Sequence, residues 1–214
     1  YLGWDNTILL VTSDHGQNLG EHGMFSHWLC LYETLLRVPL VLYPARGVPP
    51  GTRVGEPVQL SDVFDTMLDL AGCAGSTGGE RTHGRRSLLA RAAGRVPFDA
   101  HLFAEHSHPR MTLKQIRRHN PAFADRELES EKRAVRTGRY KYVRHGTGAE
   151  FLFDLHEDPG ETVDVGGRHR RVRDEFRETL AERVRPFEGS AASAAPEEEL
   201  GDAVLARLQD LGYC

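Results

Sequence analysis

Residues Thr7 to Thr12 read Thr-Ile-Leu-Leu-Val-Thr, and the next four, Ser13-Asp14-His15-Gly16, break that run. An unbroken β-branched and aliphatic stretch of this length, ended by turn formers, reads as a strand buried on both faces, as in a parallel sheet. In open α/β sheets, ligands bind beyond the carboxyl ends of the strands. Asp14 and His15 stand at that end. A carboxylate and an imidazole side by side can face one cation. Oxygen donors suit calcium or magnesium, and a mixed oxygen and nitrogen set also admits manganese or zinc. An ordinary turn, with the aspartate capping a neighbouring amide, is the competing reading. Two ligands complete no coordination shell, so the rest must come from elsewhere.

Further elements follow from spacing. A short helix is expected over 29–36, and Val38 to Tyr43 reads as a second buried strand with Pro39 near its start or at an edge. Ser61 is placed to cap a helix over 62–71. Its apolar positions Val63, Phe64, Met67, Leu68 and Leu70 recur at helical spacing, and Gly72 follows as the C′ residue. Residues 73–98 read mostly as loop, and His101 to Glu105 as a third strand. Residues 107–132 are polar and charged, a surface excursion with some helix. Then Arg133 to His145 and Glu150 to Leu155, separated by Gly146-Thr147-Gly148, read as an antiparallel hairpin. A charged helix is expected over 169–184, then a Ser/Ala/Pro/Glu-rich linker at 190–199 and a short helix at 201–211. The order suggests the tail of a mixed α/β domain joined to a smaller antiparallel α+β unit.

Bulk properties exclude some classes. A net charge of −4 and a pI near 6.3 lack the basic footprint of a nucleic-acid binder. No apolar run approaches the roughly 18 residues a membrane span needs. Cys30, Cys73 and Cys214 form no CxxC pair, so neither a zinc knuckle nor a redox motif is indicated. The chain opens with Tyr1 and runs almost at once into a core strand. That start is expected to fall inside a domain, with any targeting segment upstream. Compartment and oligomeric state stay open.

Four stretches carry a resemblance. They are TSDHGQNLGEHG at 12–23 with LYETLLRVPLVLY at 31–43, SDVFDTMLDLAG at 61–72, AVRTGRYKYVR at 134–144, and LFDLHEDPGET at 152–162. Together, and in this order, they resemble the C-terminal portion of the sulfatase branch of the alkaline-phosphatase superfamily, across most of residues 1–185. The resemblance implies an α/β fold: the C-terminal part of an alkaline-phosphatase-like mixed-sheet domain over 1–106. The surface excursion over 107–132 follows, then a small antiparallel α+β subdomain over 133–188, then a linker and terminal helix over 189–214. Asp14 and His15 match two metal ligands of the family, whose usual ion is Ca2+, with Mg2+ or Mn2+ as alternatives. His27 falls where many members place a sulfate-contacting lysine. An imidazole there can donate to a sulfate oxygen, but it titrates near neutral pH. The implied substrate is a sulfate ester, as a small molecule or on a glycan.

The family's nucleophile is a formylglycine made from the Cys or Ser of a Cys/Ser-x-Pro/Ala-x-Arg motif. No cysteine or serine here stands in that motif: Cys30 is followed by Leu-Tyr-Glu-Thr, Cys73 by Ala-Gly-Ser-Thr, and Ser107-His108-Pro109-Arg110 has the wrong spacing. Residues 1–214 alone are therefore expected to be inactive, as a fragment of a metal-dependent sulfuric ester hydrolase. The rivals are a phosphoric ester or phosphonate hydrolase of the same superfamily, and a non-catalytic fragment or degenerate homologue acting as a binding module. His22 reads as a loop tie, His101, His106 and His108 as unsupported metal candidates, and Trp4 and Trp28 as packing residues. Arg168, Arg170, Arg171 and Arg173 read as a solvated helix face.

Overall fold

The structure, a computed structural model, describes residues 7–43, 47–72, 87–95, 97, 101–107, 110–120 and 125–188. The opening apolar run forms β1 (Leu9–Thr12). A minimal hairpin follows, β2 (Asn18–Leu19) and β3 (Phe25–Ser26), joined by a single 3-10 turn at Glu21–Gly23. Helix α1 (Glu33–Leu36) leads into β4 (Leu40–Tyr43). The parallel, doubly buried reading of β1 is corrected here. β1 pairs antiparallel with β4, Leu9 opposite Tyr43 and Thr12 opposite Leu40. Leu9, Val11, Val41 and Tyr43 are all exposed. The run has the composition of a covered strand, but among the described residues this sheet has two strands.

Helix α2 (Ser61–Leu70) lies where the periodicity places it, and of its apolar positions Leu70 is buried. Asp62, Thr66 and Leu70 are inside, while Phe64 and Met67 are exposed. Polar bonds decide this. Arg91 of α3 (Leu88–Ala92) pairs with Asp62 at 3.5 Å, and the Leu88 amide donates to Thr66 Oγ1 at 3.0 Å. Ser61 is the first helical residue rather than a side-chain cap; Leu60 holds the cap position. Gly72 does end the helix with φ 71°, its amide bonded to the Asp69 carbonyl. Helix α3 falls inside the 73–98 stretch read mostly as loop, of which residues 73–86 lie outside the described residues.

The second sheet has four antiparallel strands in the order β5 (Leu102–His106), β6 (Lys132–Arg136), β7 (Tyr140–His145), β8 (Glu150–Asp154). The stretch 133–145, taken from sequence as one strand, is two. A turn at Thr137-Gly138-Arg139 divides it, held where the Thr137 amide donates to the Tyr140 carbonyl. The sequence boundary at 106 runs along the end of β5, whose partner is β6. Between β5 and β6 lie α4 (Arg110–His119) and α5 (Arg126–Glu129), the helix expected within the excursion. Asp125 caps α5, accepting from the amides of Glu127 and Leu128.

Both faces of this sheet are covered. On one, Val135, Tyr142 and Leu152 pack against Phe176 and Leu180 of α6 (Arg170–Glu188). On the other, Ala134, Val143 and Phe153 pack against Leu31, with Tyr32 and Leu36 beside them. The segment around α1 is thus gripped by the sheet, and that contact positions the site. The expected linker and terminal helix at 189–214 lie outside the described residues. Among those described, no helix is long and apolar enough to cross a membrane.

Candidate metal and sulfate centre

The turn after β1 shapes the donor pair. Ser13 Oγ donates to the His15 carbonyl at 2.7 Å, and the His15 amide donates to Asp14 Oδ1 at 3.0 Å. Asp14 thus caps its neighbour's amide, as the plain turn reading expected, but with one oxygen. Asp14 Oδ2 lies 3.8 Å from His15 Nε2. His15 Nδ1 is 2.8 Å from the Gly16 carbonyl oxygen. A carbonyl has no hydrogen to give, so Nδ1 carries the proton and Nε2 presents its lone pair on the side of Asp14 Oδ2. Fixing the tautomer by one ring nitrogen while the other faces a cation is the usual arrangement of a ligating histidine.

Gly16 holds the turn in place. Its amide donates to the Leu35 carbonyl at 2.8 Å, and a Cβ built on it would lie 2.0 Å from the Thr34 carbonyl oxygen. Close approach of two backbones therefore ties the donor pair to α1. Thr34 Oγ1 donates to Asn18 Oδ1 at 2.5 Å, and Asn18, fully buried, donates to Cys30 Sγ.

His27 stacks on His15 with ring centroids 4.3 Å apart. Trp28 Nε1–H donates to His27 Nε2 at 2.9 Å. An indole nitrogen only donates, so Nε2 is the acceptor and the proton of neutral His27 sits on Nδ1. Burial, then the neighbouring His15, lowers its pKa. His22 adopts φ 54° and stacks on Tyr32 at 3.6 Å, as a loop tie would. The remaining metal candidates lie elsewhere or outside the described residues. His101 packs edge-on to Phe176, His106 sits opposite Lys132 in the sheet, and His108 lies outside the described residues. Among the described residues, no group of three or more His, Cys, Asp or Glu is placed to hold a metal ion. Asp14 is 67% exposed and His15 35%, so the pair forms an open rim.

Sequence reasoning missed Trp28 as a partner of His27, and it missed Glu33, Lys141 and Glu161 beneath the site. The signal for Trp28 was adjacency alone. Lys141 and Glu161 gave none, because a lysine in an alternating strand and a glutamate in a turn both read as solvated.

The sulfatase family model matches residues 2–73. Arylsulfatase K of Homo sapiens is 30% identical over 169 residues, which is 74% of this chain and 27% of that protein. The chain thus spans little more than a quarter of the length of that relative. Among solved structures, one bound to its substrate D-glucosamine-2-N,6-O-disulfate superposes with TM-score 0.67 at 22% identity, covering 92% of this chain and 37% of the other, a likeness of fold. The phosphonate monoester hydrolase of Agrobacterium radiobacter superposes with TM-score 0.58 at 25% identity, over 84% of this chain and 35% of the other. The motifs at 12–43, the α/β architecture and these likenesses converge: the chain belongs to the sulfatase family of the alkaline-phosphatase superfamily.

Proposed function

We propose that this chain supplies part of the cation- and sulfate-binding centre of a metal-dependent sulfuric ester hydrolase. The carrying observation is the Asp14 Oδ2 to His15 Nε2 separation of 3.8 Å, with His15 Nδ1 anchored on the Gly16 carbonyl. Two bonds of about 2.3–2.6 Å from a calcium ion can bridge such a gap. Asp14 and His15 would hold the cation, which the resemblance to the sulfatase family makes Ca2+, with Mg2+ or Mn2+ as alternatives. When bound, a divalent cation lowers the pKa of the attacking group and neutralises charge building on the sulfate oxygens.

His27, stacked beside His15, meets a sulfate oxygen through Nδ1–H as a neutral donor, because Nε2 already accepts from Trp28. It orients the ester without adding charge. The formylglycine nucleophile and the remaining ligands come from outside these residues, and the 214 residues by themselves do not turn over. The substrate is a sulfate ester, on a small molecule or a sugar.

Calorimetric titration of the full-length protein with CaCl2 tests this reading. Binding is expected in the wild type and absent in Asp14→Ala; equal binding in both would end the assignment. A second reading, hydrolysis of phosphonate monoesters, has support from the likeness to the Agrobacterium enzyme. Turnover of 4-nitrophenyl sulfate against 4-nitrophenyl phenylphosphonate separates the two, and the sulfate is expected to be the better substrate.

A further inference from the structure

We propose that Lys141 and Glu161, on the small sheet and its following turn, are positioning residues for the Asp14–His15 centre and act through α1. The proposal rests on that centre being the cation site.

Arg136 on β6 and Lys141 on β7 are directly opposite each other in register. Like charges so placed repel unless anions sit between them. Two do. Glu33, the first residue of α1, accepts from Arg136 Nε at 3.1 Å on both oxygens and from Lys141 Nζ at 3.3 Å. Glu161 pairs with Lys141, and its Oε2 accepts the Glu33 amide at 2.6 Å. Lys141 Nζ also donates to the Leu31 carbonyl at 2.7 Å. Lys141 is fully buried and Glu161 only 3% exposed. Glu161 reaches this position with φ 55°, which is costly for a non-glycine residue. Burial pushes its carboxyl up from the ordinary range, against the pull of Lys141.

The network therefore fixes the amide, the carboxylate and the preceding carbonyl of the 31–33 segment, all from the sheet. The same segment continues into Thr34 and Leu35, whose carbonyls lie against Gly16. Gly16 in turn holds the His15 ring through its own carbonyl. A continuous path of short contacts thus runs from Glu161 through α1 to His15 Nδ1. Residues about 130 positions away along the chain set the angle at which the donor pair is presented. Glu33 and Glu161 balance Arg136 and Lys141 charge for charge, so loss of either Lys141 or Glu161 leaves an uncompensated buried ion, and the segment must shift.

The test uses Glu161→Gln, Lys141→Met and the double variant in the full-length protein, with Arg177→Gln, on the far face of the sheet, as control. Calcium affinity, kcat and KM for 4-nitrophenyl sulfate, and Tm are measured. Each single variant is expected to weaken calcium binding about tenfold, the low end for residues supporting a metal ligand, and to lower kcat. The double variant is expected to lose no more than the worse single one, because the pair acts as a unit. Arg177→Gln should leave calcium affinity unchanged. Folded single variants that lose only Tm, with calcium affinity and kcat intact, would overturn the proposal. If Lys141→Met does not fold, Glu161→Gln decides alone. Failure of the cation reading is distinguishable, since Asp14→Ala would then bind calcium like the wild type.

Discussion

Gly16 has no room for a side chain. A methyl group there would meet the Thr34 carbonyl oxygen at 2.0 Å, and that atom is backbone within a helix held by the sheet, so it cannot swing aside. Gly16→Ala is expected to cost about 1–3 kcal/mol, as overpacking usually does. It should also part the donor pair from α1 and weaken calcium binding. Thermal unfolding and calorimetry read the two effects. At this scale the sequence was informative. Asp14, His15 and Gly16 are singled out by following an apolar run, and their side chains and backbone form the turn expected of them. What adjacency could not tell is which nitrogen of each imidazole is engaged. That depends on Trp28 and on the Gly16 carbonyl, and so on ring rotations that spacing does not encode.

Among the elements, α6 is the support of the second sheet. Phe176 and Leu180 face Val135, Tyr142 and Leu152 in a buried cluster, while Arg177 reaches over to Glu150 at 2.5 Å. Leu180→Ala should destabilise the protein by about 2–5 kcal/mol, the range for removing a buried leucine side chain, as measured by denaturant or thermal unfolding. This helix, the hairpin strand β8 and Gly72 at the end of α2 were legible because period and punctuation are local. The division of 133–145 into β6 and β7 was not, because Thr137-Gly138-Arg139 is a weak turn signal inside an otherwise strand-like run. Which face of α2 is buried was not legible either, for another reason. Hydrophobic spacing favours Phe64 and Met67, whereas the observed inside is set by Asp62 meeting Arg91, two residues 29 positions apart.

At the scale of the molecule, one end of the four-stranded sheet carries His106, Lys132 and His145 in a single rung. Lys132 Nζ donates to the carbonyls of Glu127, Leu128 and Ser130. Burial, and then the Lys132 charge, pushes the His145 pKa down to about 4 and lowers that of His106. An unfolded histidine takes up its proton near pH 6.5, about the ordinary value. Between there and about 4, the unfolded state binds more protons than the folded one, so stability falls as pH falls. Glu161 has the opposite sign, since its raised carboxyl favours the folded state on the acid side. Tm measured from pH 7 to pH 4.5 should therefore drop less steeply in His145→Asn than in the wild type; parallel slopes would contradict the assignment.

The sequence by itself determined the α/β class, the strand that delivers Asp14 and His15, and the charged helix after the second sheet. All of these arise from residues close together in the chain, through apolar period, capping and turn chemistry. Only the tertiary structure decided that β1 runs antiparallel to β4 and that α2 turns a polar face inward. It also decided that Lys141 and Glu161 lie buried beneath the segment that holds the donor pair. The first two rest on a backbone pairing and a charge pair about thirty positions apart, the last on charges that find each other across more than a hundred residues. A lone lysine or glutamate looks the same in sequence whether it ends in water or in a closed network.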